Sequence, residues 1–322
     1  MNSKTYEHNS ARELKMHENV KKENMQALIK NPALFAFSKK VLIESYVECV
    51  PGFENEMRAL MLEAFERLEA SKNNEDEFNA AVKYLVKDLF RKGESEFWFN
   101  QAYQNYKHKF KPTRRYANLE PWLMGTKVLD IGCGNGLTSA ELHKHGYQVA
   151  LTDVLDYRAE QARHLPFVQM KNPQTLPYRG ERFDTGILLA VLHHMEDTDL
   201  LPILSELRAS CRRLIIEEDT YLVPGNVTPP LEQVLQKDHY LREFTALPPE
   251  DQLRYLMFVD TFANAITPGI GEMGLPFNFR SVGEWQELFE QQGFHLVCTH
   301  LLGFQEGFFN RSCHTWFILD TS

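Results

Sequence analysis

Cysteine is scarce in this chain of 322 residues, and its five positions are far apart. No two of them have the close spacing of a metal ligand set, so the sequence offers no cysteine-bound metal. An odd, scattered set of thiols also fits a reducing compartment better than a disulfide-stabilised secreted protein. We therefore expect free cysteines, and no spacing elsewhere in the chain demands a metal.

Long apolar runs are also missing. The first thirty residues are polar and charged and lack the apolar core of a signal peptide. No run of about 18 apolar residues occurs anywhere in the chain. We therefore expect a cytoplasmic protein that does not associate with a membrane.

Basic residues do not dominate the composition, which has 35 Lys and Arg against 44 Asp and Glu and a formal net charge of −9. Nucleic-acid binding requires clustered positive charge that neutralises phosphates, so this composition argues against it. One basic cluster is present at Lys107, Lys109, Lys111, Arg114 and Arg115. It is either a solvated segment between domains or a local surface for nucleic acid.

Apolar residues recur at helical spacing over about residues 26–110. Met57, Met61, Ala64 and Phe65, for example, recur at intervals of three and four residues and mark one helix face. The pattern predicts an all-helical N-terminal domain over residues 1–115. Capping of an active site and formation of a homodimer are its candidate roles.

From about residue 117, strand patterns alternate with helix patterns, which predicts a parallel sheet with helices on both faces. The last two strand candidates, Gly293–Leu302 and Ser312–Leu319, are joined by only about nine residues, so we expect them to pair antiparallel. Ser281 and Glu284 predict a capping box at the start of the last helix. The earlier strand candidates are Lys127–Ile131, Gln148–Thr152, Pro166–Gln169, Phe183–Leu189 and Arg213–Glu217, with helix starts near Leu137, Asp156 and Thr198.

A glycine-rich turn follows the first of these strands, where residues 128–136 read Val-Leu-Asp-Ile-Gly-Cys-Gly-Asn-Gly. Gly132, Gly134 and Gly136 let the backbone adopt positive φ and approach a ligand closely, and the helix start at Leu137 offers unpaired N–H groups. Ligands of doubly wound sheets bind at this edge. The dinucleotide fingerprint G-x-G-x-x-G is absent, because Leu137 stands where its third glycine would be.

The nine-residue run closely resembles the first motif of the class I (Rossmann-like) S-adenosylmethionine-dependent methyltransferases, and the resemblance continues over residues 117–322. It implies a doubly wound, mostly parallel α/β sheet of seven strands with an antiparallel last strand, as a catalytic domain over residues 116–322. It also implies S-adenosyl-L-methionine as cofactor and S-adenosyl-L-homocysteine as product. The residues that it places at the cofactor are Asp130, Gly132, Cys133, Gly134, Gly136, Asp153, Val154, Asn172, Ala190 and Val191.

Two of these positions have specific roles in the family that the sequence resembles. Asp153 ends the second strand, where the family's acid binds the ribose hydroxyls, and a carboxylate can accept both hydroxyl donors. The acid that touches adenine in the family falls on Asn172, which departs from the pattern. The adenine contact therefore stays open between Asn172, Lys171 and the backbone.

The stretch from Ile187 to Asp197 resembles the family's fourth motif, which ends a central strand at the active site. His193 and His194 within it are candidate general bases, since imidazole titrates near neutral pH, and packing or hydrogen bonding is the alternative role. Glu217 is the third catalytic candidate, in the acidic run that ends at Asp219. The acidic residues of that run have three possible roles: one could act as a base, one could bind a cationic group of the substrate, or all could simply be solvated in a loop.

A long insert, punctuated by proline and glycine, covers about residues 220–280. The resemblance implies that it builds the substrate pocket, with the aromatic segment 97–106 as a candidate lid or a packed helix. An enclosed aromatic pocket suits a small organic molecule. The candidate substrate contacts are Tyr103, Tyr106, Tyr255 and Asp260.

The leading hypothesis is a methyltransferase that acts on an oxygen or nitrogen of a small molecule, with secondary metabolism as a candidate setting. In the expected in-line displacement at the sulfonium methyl, the protein positions the acceptor and removes its proton. A tRNA or protein methyltransferase is the second hypothesis, supported by the basic cluster. The third is a regulatory protein that binds the cofactor without catalysis, which the intact glycine turn and Asp153 oppose.

Overall fold

The computed structural model describes residues 3–90, 97–178, 180–268 and 274–321. The chain forms two compact units, each assembled from separate segments. Unit 1 comprises Met1–Tyr106, Arg242–Phe277 and Gln305–Ser312, and unit 2 comprises Lys107–Leu241, Asn278–Phe304 and Cys313–Ser322. The division into domains at residues 115 and 116 stays a prediction, as does the insert at about 220–280, part of which lies outside the described residues.

The helices in chain order are α1 (Ser3–Lys30), α2 (Pro32–Glu48), α3 (Glu54–Ala70), α4 (Glu75–Tyr84), α5 (Phe97–Asn105), α6 (Lys111–Leu119), α7 (Leu137–Lys144), α8 (Asp197–Ser210), α9 (Leu231–Lys237), α10 (His239–Thr245), α11 (Pro249–Thr261) and α12 (Val282–Gln291). The strands are β1 (Lys127–Ile131), β2 (Gln148–Asp153), β3 (Phe167–Gln169), β4 (Phe183–Leu189), β5 (Cys211–Asp219), β6 (Phe294–Gly303) and β7 (His314–Thr321). No helix of the described part of the chain is long and apolar enough to span a membrane.

The predicted helical region is confirmed in unit 1, where side chains set the helix starts. The side chain of Asn31 accepts a hydrogen bond from the N–H of Leu34, and Pro32 opens α2. A proline at this position costs nothing, because the first N–H of a helix has no partner within it. Aromatic rings fill the core of the unit, where Phe65 stacks on Phe262 with the ring centroids 6.2 Å apart.

The predicted sheet is confirmed in unit 2. Within the described residues it has seven strands in the order β3-β2-β1-β4-β5-β7-β6. The pairs among β1 to β5 are parallel, and β7 runs antiparallel between β5 and β6. The capping box at Ser281 and Glu284 is also confirmed, at the start of α12.

The helix expected near Asp156 is wrong, because the structure has only a 3-10 turn at Glu160–Ala162. The segment forms only local turn bonds, such as that from the N–H of Ala162 to the carbonyl of Ala159 at 2.9 Å, and it also bonds to its surroundings. The N–H of Ala159 donates to the carbonyl of Asn135 at 2.9 Å, and Arg158 Nη1 donates to the carbonyl of Leu165 at 3.0 Å. These contacts hold the segment after β2 against the glycine turn.

Apolar side chains from five strands of the sheet form the core of unit 2. This core holds the strand ends in place, and the carboxyl ends of parallel strands lie at one edge, where ligands of such sheets bind. Buried members of the core are Val128, Leu151, Ile187, Ile215, Trp316 and Ile318.

Candidate cofactor site and active site

The glycine turn joins β1 to α7 through left-handed backbone, with φ of 66° at Gly132, 57° at Gly134 and 69° at Gly136. A Cβ at Gly132 would lie 2.8 Å from Cγ2 of Val191, and one at Gly136 would lie 2.8 Å from Cβ of Ala162. Both distances are too short for real Cβ contacts. Gly132 and Gly136 are therefore required by packing as well as by φ.

Gly134 differs from the other two glycines because a Cβ there would meet its neighbours only at ordinary van der Waals distances. Among the described residues, the atom nearest to a Cβ built there is the Tyr157 hydroxyl, at 3.7 Å. The Gly134 N–H donates to Oδ2 of Asp153 at 2.9 Å, and the Leu155 N–H donates to Oδ1 at 3.4 Å. An ionised carboxylate has about four acceptor sites, so Asp153 retains capacity for two hydroxyl donors. These residues fit a nucleoside with a ribose.

Apolar side chains beside Asp153 are unusually exposed. Val154, Leu155 and Tyr157 have 43%, 62% and 59% of their surface accessible. Exposed apolar side chains next to Asp153 are candidate contacts for an adenine ring. Asn172 is exposed as well, and its side-chain oxygen accepts from the Gln174 N–H at 3.0 Å. Part of its bonding capacity is therefore used in its own turn, and its adenine role stays a prediction.

Asp130 lies on β1 and is buried, with its side chain directed at α7. Its Oδ2 accepts a hydrogen bond from the Ser139 hydroxyl at 2.5 Å. Burial raises the pKa of Asp130 to about 6. Burial also raises the pKa of the Cys133 thiol. Both residues support the glycine turn, and their direct contact with a cofactor stays a prediction.

Ala190, directly after β4, also has left-handed backbone, with φ of 61°. A residue with a Cβ is strained there, and such strain concentrates at functional sites. Its N–H donates to the carbonyl oxygen of Glu217 on β5 at 2.8 Å. The next residue, Val191, contacts Gly132, so the turn after β4 lies against the glycine turn.

The turn after β4 is held by the fully buried carboxylate of Glu218. Its Oε1 accepts from the N–H groups of Val191 at 3.2 Å and Leu192 at 2.7 Å. Its Oε2 lies 2.6 Å from Nδ1 of His193, whose ring stacks on Phe279 with the centroids 4.7 Å apart. A carboxylate only accepts, so Nδ1 carries the proton and Nε2 is the basic nitrogen of the neutral ring.

His194 follows in the same turn and is less buried than His193. The two rings meet edge to face, with their centroids 4.2 Å apart. Asn278 secures the turn from the other side, since its N–H donates to the carbonyl of His193 and its side chain donates to that of Met195, each at 3.0 Å. The bond to Glu218 makes His193 the better-oriented of the two base candidates.

Glu217 and Asp219 face away from Glu218, since side chains alternate along a strand. Oε2 of Glu217 accepts from the indole N–H of Trp316 at 3.0 Å, and Oε1 lies 3.3 Å from Nη2 of Arg115. Asp219 pairs with Nε2 of His314 at 3.0 Å. Although burial lowers the pKa of His314, the charge of Asp219 outweighs it and raises that pKa above the usual value. Glu217 thus has two partners within the protein, and its catalytic role stays a prediction.

Two residues of the basic cluster turn towards these acids instead of forming a solvated surface. Lys111 and Arg115 are one helical turn apart on α6, and the side chain of Arg115 is only 16% exposed. The neighbouring charge of Arg115, together with burial, lowers the pKa of Lys111 to about 7. Sequence reasoning missed this arrangement, although the four-residue spacing of the two cations was visible.

A family model matches the same part of the chain. Residues 128–213 match the family model described as a methyltransferase domain, and they contain the glycine turn, Asp153 and the His193 turn. This segment belongs to the class I S-adenosylmethionine-dependent methyltransferases. That family consists of enzymes whose cofactor is S-adenosylmethionine.

Curated relatives match part of this chain over part of their own length. The ubiquinone biosynthesis O-methyltransferase of Coxiella burnetii is 34% identical over 109 residues, 31% of this chain and 47% of that protein. The enzyme of the same name from Bartonella bacilliformis is 29% identical over 134 residues, 35% of this chain and 54% of that protein. The chain thus spans about half the length of the curated relatives that it matches.

A solved structure of the pyocyanin biosynthetic protein PhzM is also similar to this chain. It covers 86% of this chain and 73% of its own, with 15% identity and a TM-score of 0.48. At 15% identity and a TM-score of 0.48, this similarity supports no conclusion about function.

Tyr103 and Tyr106, two of the four predicted substrate contacts, lie in unit 1 and not in the methyltransferase domain. Tyr103 stacks on Phe99 and on Phe309, with centroid distances of 5.9 Å in both cases. The hydroxyl of Tyr106 accepts from the Phe309 N–H at 3.1 Å. Contacts within unit 1 therefore account for both tyrosines, and their substrate role stays a prediction.

Tyr255 and Asp260 are the other two candidates, and both lie on α11 in unit 1. The hydroxyl of Tyr255 is buried and donates to the carbonyl of Arg311 at 2.6 Å. Oδ1 of Asp260 accepts from the side-chain amide of Asn264 at 2.6 Å. Tyr255 is thus part of the core of unit 1, and substrate contact by either residue stays a prediction.

Proposed function

We propose that this protein transfers the methyl group of S-adenosylmethionine to a hydroxyl group of a small organic molecule, with a nitrogen acceptor as the alternative. The observation that carries the proposal is the hydrogen bond between Gly134 and Asp153. It places a backbone without a side chain next to a carboxylate that can accept further hydrogen bonds. The O-methyltransferase relatives support an oxygen acceptor over the matched domain.

The residues that would hold the cofactor lie at the carboxyl ends of β1, β2 and β4. S-adenosylmethionine supplies a methyl group on a positively charged sulfur. The carboxylate of Asp153 binds the ribose hydroxyls, and the Gly134 backbone allows the nucleoside to approach closely. Ala190 and Val191 border this site beside the glycine turn.

His193 then acts as the general base at the acceptor. A neutral imidazole accepts the hydroxyl proton at Nε2, while the carboxylate of Glu218 stabilises the positive charge that develops on the ring. A positioned base of this kind contributes about 10²–10⁴-fold to a rate. Glu218 is a positioning residue here, because it acts through the imidazole and the turn.

The internal contacts of the basic cluster favour a small molecule over tRNA. Arg115 pairs with Glu217, and Lys111 has its pKa lowered to about 7. Fewer of these charges are available to phosphates than the sequence suggests, and phosphate contacts dominate nucleic-acid affinity. Secondary metabolism, a cytoplasmic location and a homodimer stay predictions.

A transfer assay with methyl-labelled S-adenosylmethionine tests the proposal. Host extract is separated into small-molecule, RNA and protein fractions, and each is incubated with the full chain. We expect label in the small-molecule fraction, with loss of that label for His193→Asn. Label confined to the RNA or protein fraction contradicts the small-molecule acceptor. Cofactor binding without label in any fraction contradicts catalysis.

A further inference from the structure

The imidazole of His193 is contacted by two segments of the chain outside its own turn. Glu218 on β5 lies 2.6 Å from Nδ1, and Phe279, which precedes α12, stacks on the face of the ring. We propose that Phe279 is a positioning residue of the methyl transfer, because its ring sets the plane of the imidazole and so the direction of Nε2. This inference rests on the proposed function and adds a residue to the same site.

The hydrogen bond to Glu218 does not by itself fix the imidazole of His193. It sets the position of Nδ1, and the plane of the ring can still tilt about the line that joins Nδ1 to Oε2. Such a tilt moves Nε2, the nitrogen that accepts the proton in the proposed mechanism. The ring of Phe279 has its centroid 4.7 Å from that of the imidazole, at an interplanar angle of 17°, so a tilt would disrupt the stacking. The two contacts together define the direction of Nε2.

Phe279 is held in place by the residues before and after it. The Asn278 N–H donates to the carbonyl of His193 at 3.0 Å, and the Asn278 side chain donates to Oδ1 of Asp197 at 2.8 Å. Nη2 of Arg280 donates to the same oxygen of Asp197 at 2.6 Å. Phe279 itself is buried, with 7% of its surface exposed. A ring that is fixed in this way can restrain the imidazole on which it stacks.

The segment around Phe279 is also bonded to the chain that continues from β5, the strand of Glu218. Tyr221 lies two residues beyond the end of β5 and forms a parallel bridge with Ser281. The carbonyl of Tyr221 accepts a hydrogen bond from the Val282 N–H at 3.3 Å. The backbone therefore links the two segments that contact the imidazole, without the imidazole itself.

An aromatic face also suits the charge that the proposed mechanism places on His193. The imidazole becomes a cation when it takes the proton of the acceptor, and a cation within about 6 Å of an aromatic centroid is attracted to the π-face. The distance of 4.7 Å between the two centroids lies within that range. A leucine in place of Phe279 would remove the aromatic face, whereas a tyrosine would keep it.

Rates of methyl transfer by the full chain test the proposal, with labelled S-adenosylmethionine and the small-molecule fraction of host extract as acceptor. Phe279→Leu should lower the initial rate about tenfold, a part of the roughly 10²–10⁴-fold that a base contributes, and Phe279→Tyr should retain most of the wild-type rate. The affinity for S-adenosylhomocysteine, measured by calorimetry, should change in neither variant. A wild-type rate in Phe279→Leu would show that the inference is wrong.

Phe183→Leu is the control for a loss of stability alone. Phe183 is buried like Phe279 and packs on Tyr178, but it begins β4, whereas His193 follows the other end of that strand. Both leucine variants should lower Tm, and Phe183→Leu should keep the rate. In a His193→Asn background, Phe279→Leu should lower the remaining rate less than about twofold, because the base is already absent. Equal losses in both backgrounds would mean that Phe279 does not act through His193.

NMR of the imidazole separates this inference from the proposed function, because it requires no methyl transfer. In a full chain with isotope-labelled histidine, the signals of His193 are identified by their absence from His193→Asn. We expect the Nδ1 proton of His193 to exchange with water faster in Phe279→Leu than in the wild type and in Phe279→Tyr. An unchanged exchange rate contradicts the inference. A wild type that transfers no label contradicts the proposed function, and the exchange rates would still show whether Phe279 orients the imidazole.

Discussion

Oε2 of Glu218 lies 2.6 Å from Nδ1 of His193, and the other oxygen of the same carboxylate accepts two backbone N–H groups of the turn. One side chain of β5 therefore sets both the conformation of the turn after β4 and the orientation of its imidazole. These three hydrogen bonds restrain the turn. A restrained base requires less rearrangement during the reaction.

Replacement of His193 should impair catalysis far more than replacement of His194. His193→Asn can still donate to Glu218 and so preserves the turn, but it removes Nε2. We expect kcat to fall by about 10²-fold or more, the range for loss of a general base, with the KM for S-adenosylmethionine little changed. His194→Asn is the matched control and should lose less than about tenfold, since no bond to Glu218 orients that ring. Equal losses in the two variants would argue against His193 as the base.

Substitutions at Gly134 and Gly136 should separate ligand access from packing. Gly136→Ala places a Cβ 2.8 Å from Ala162 and 3.0 Å from Leu151, so we expect a clear fall in Tm. Gly134→Ala meets only an ordinary contact with Tyr157, at 3.7 Å, and should cost about 1–2 kcal/mol through its positive φ alone. Its methyl group nevertheless faces the predicted ligand, so S-adenosylhomocysteine should bind at least about tenfold more weakly. Thermal unfolding and calorimetry check both; unchanged affinity in folded Gly134→Ala would contradict the account.

Asp130 should make stability depend on pH in mildly acidic solution. Burial raises its pKa from 3.8 to about 6, so between those values the folded protein binds more protons than the unfolded chain. Stability from this group is therefore lost as pH rises from about 4 to about 6. Asp130→Asn can still accept from Ser139 and does not titrate, so it should gain up to about 3 kcal/mol relative to wild type over this window. Parallel curves of Tm against pH for the two proteins would refute this.

Strands that can be recognised from their own residues and the turns next to them were predictable from the sequence. The bounds of β1 and β4 agree with the prediction, because each contains buried apolar residues and is followed by turn residues. The antiparallel pairing of β6 with β7 followed from the short connection between them. The segment after β2 was mispredicted, because its backbone also bonds outside the segment, to Asn135. Such long-range contacts leave no periodic signal in the sequence.

The type of the candidate site was predictable from the sequence, but the contacts of its individual side chains were not. The glycines and Asp153 are recognisable from their order in the chain, whereas the roles of Glu217 and Glu218 depend on which face of β5 each occupies. Alternation separates them, but only tertiary structure shows that Glu218 meets His193 and that Glu217 meets Arg115. The segment Arg242–Phe277 likewise belongs to unit 1 without any local sign of it.

The most direct test of the central claim is calorimetric titration of S-adenosylhomocysteine into wild type and Asp153→Asn. One oxygen of the asparagine can still accept from Gly134, but an acceptor for the ribose hydroxyls is lost. We predict saturable one-to-one binding to wild type, weakened about 10–100-fold by Asp153→Asn. Asp76→Asn, at an exposed acid of α4, should bind like wild type. Absence of binding to wild type at millimolar ligand, or equal binding to Asp153→Asn, would contradict the account.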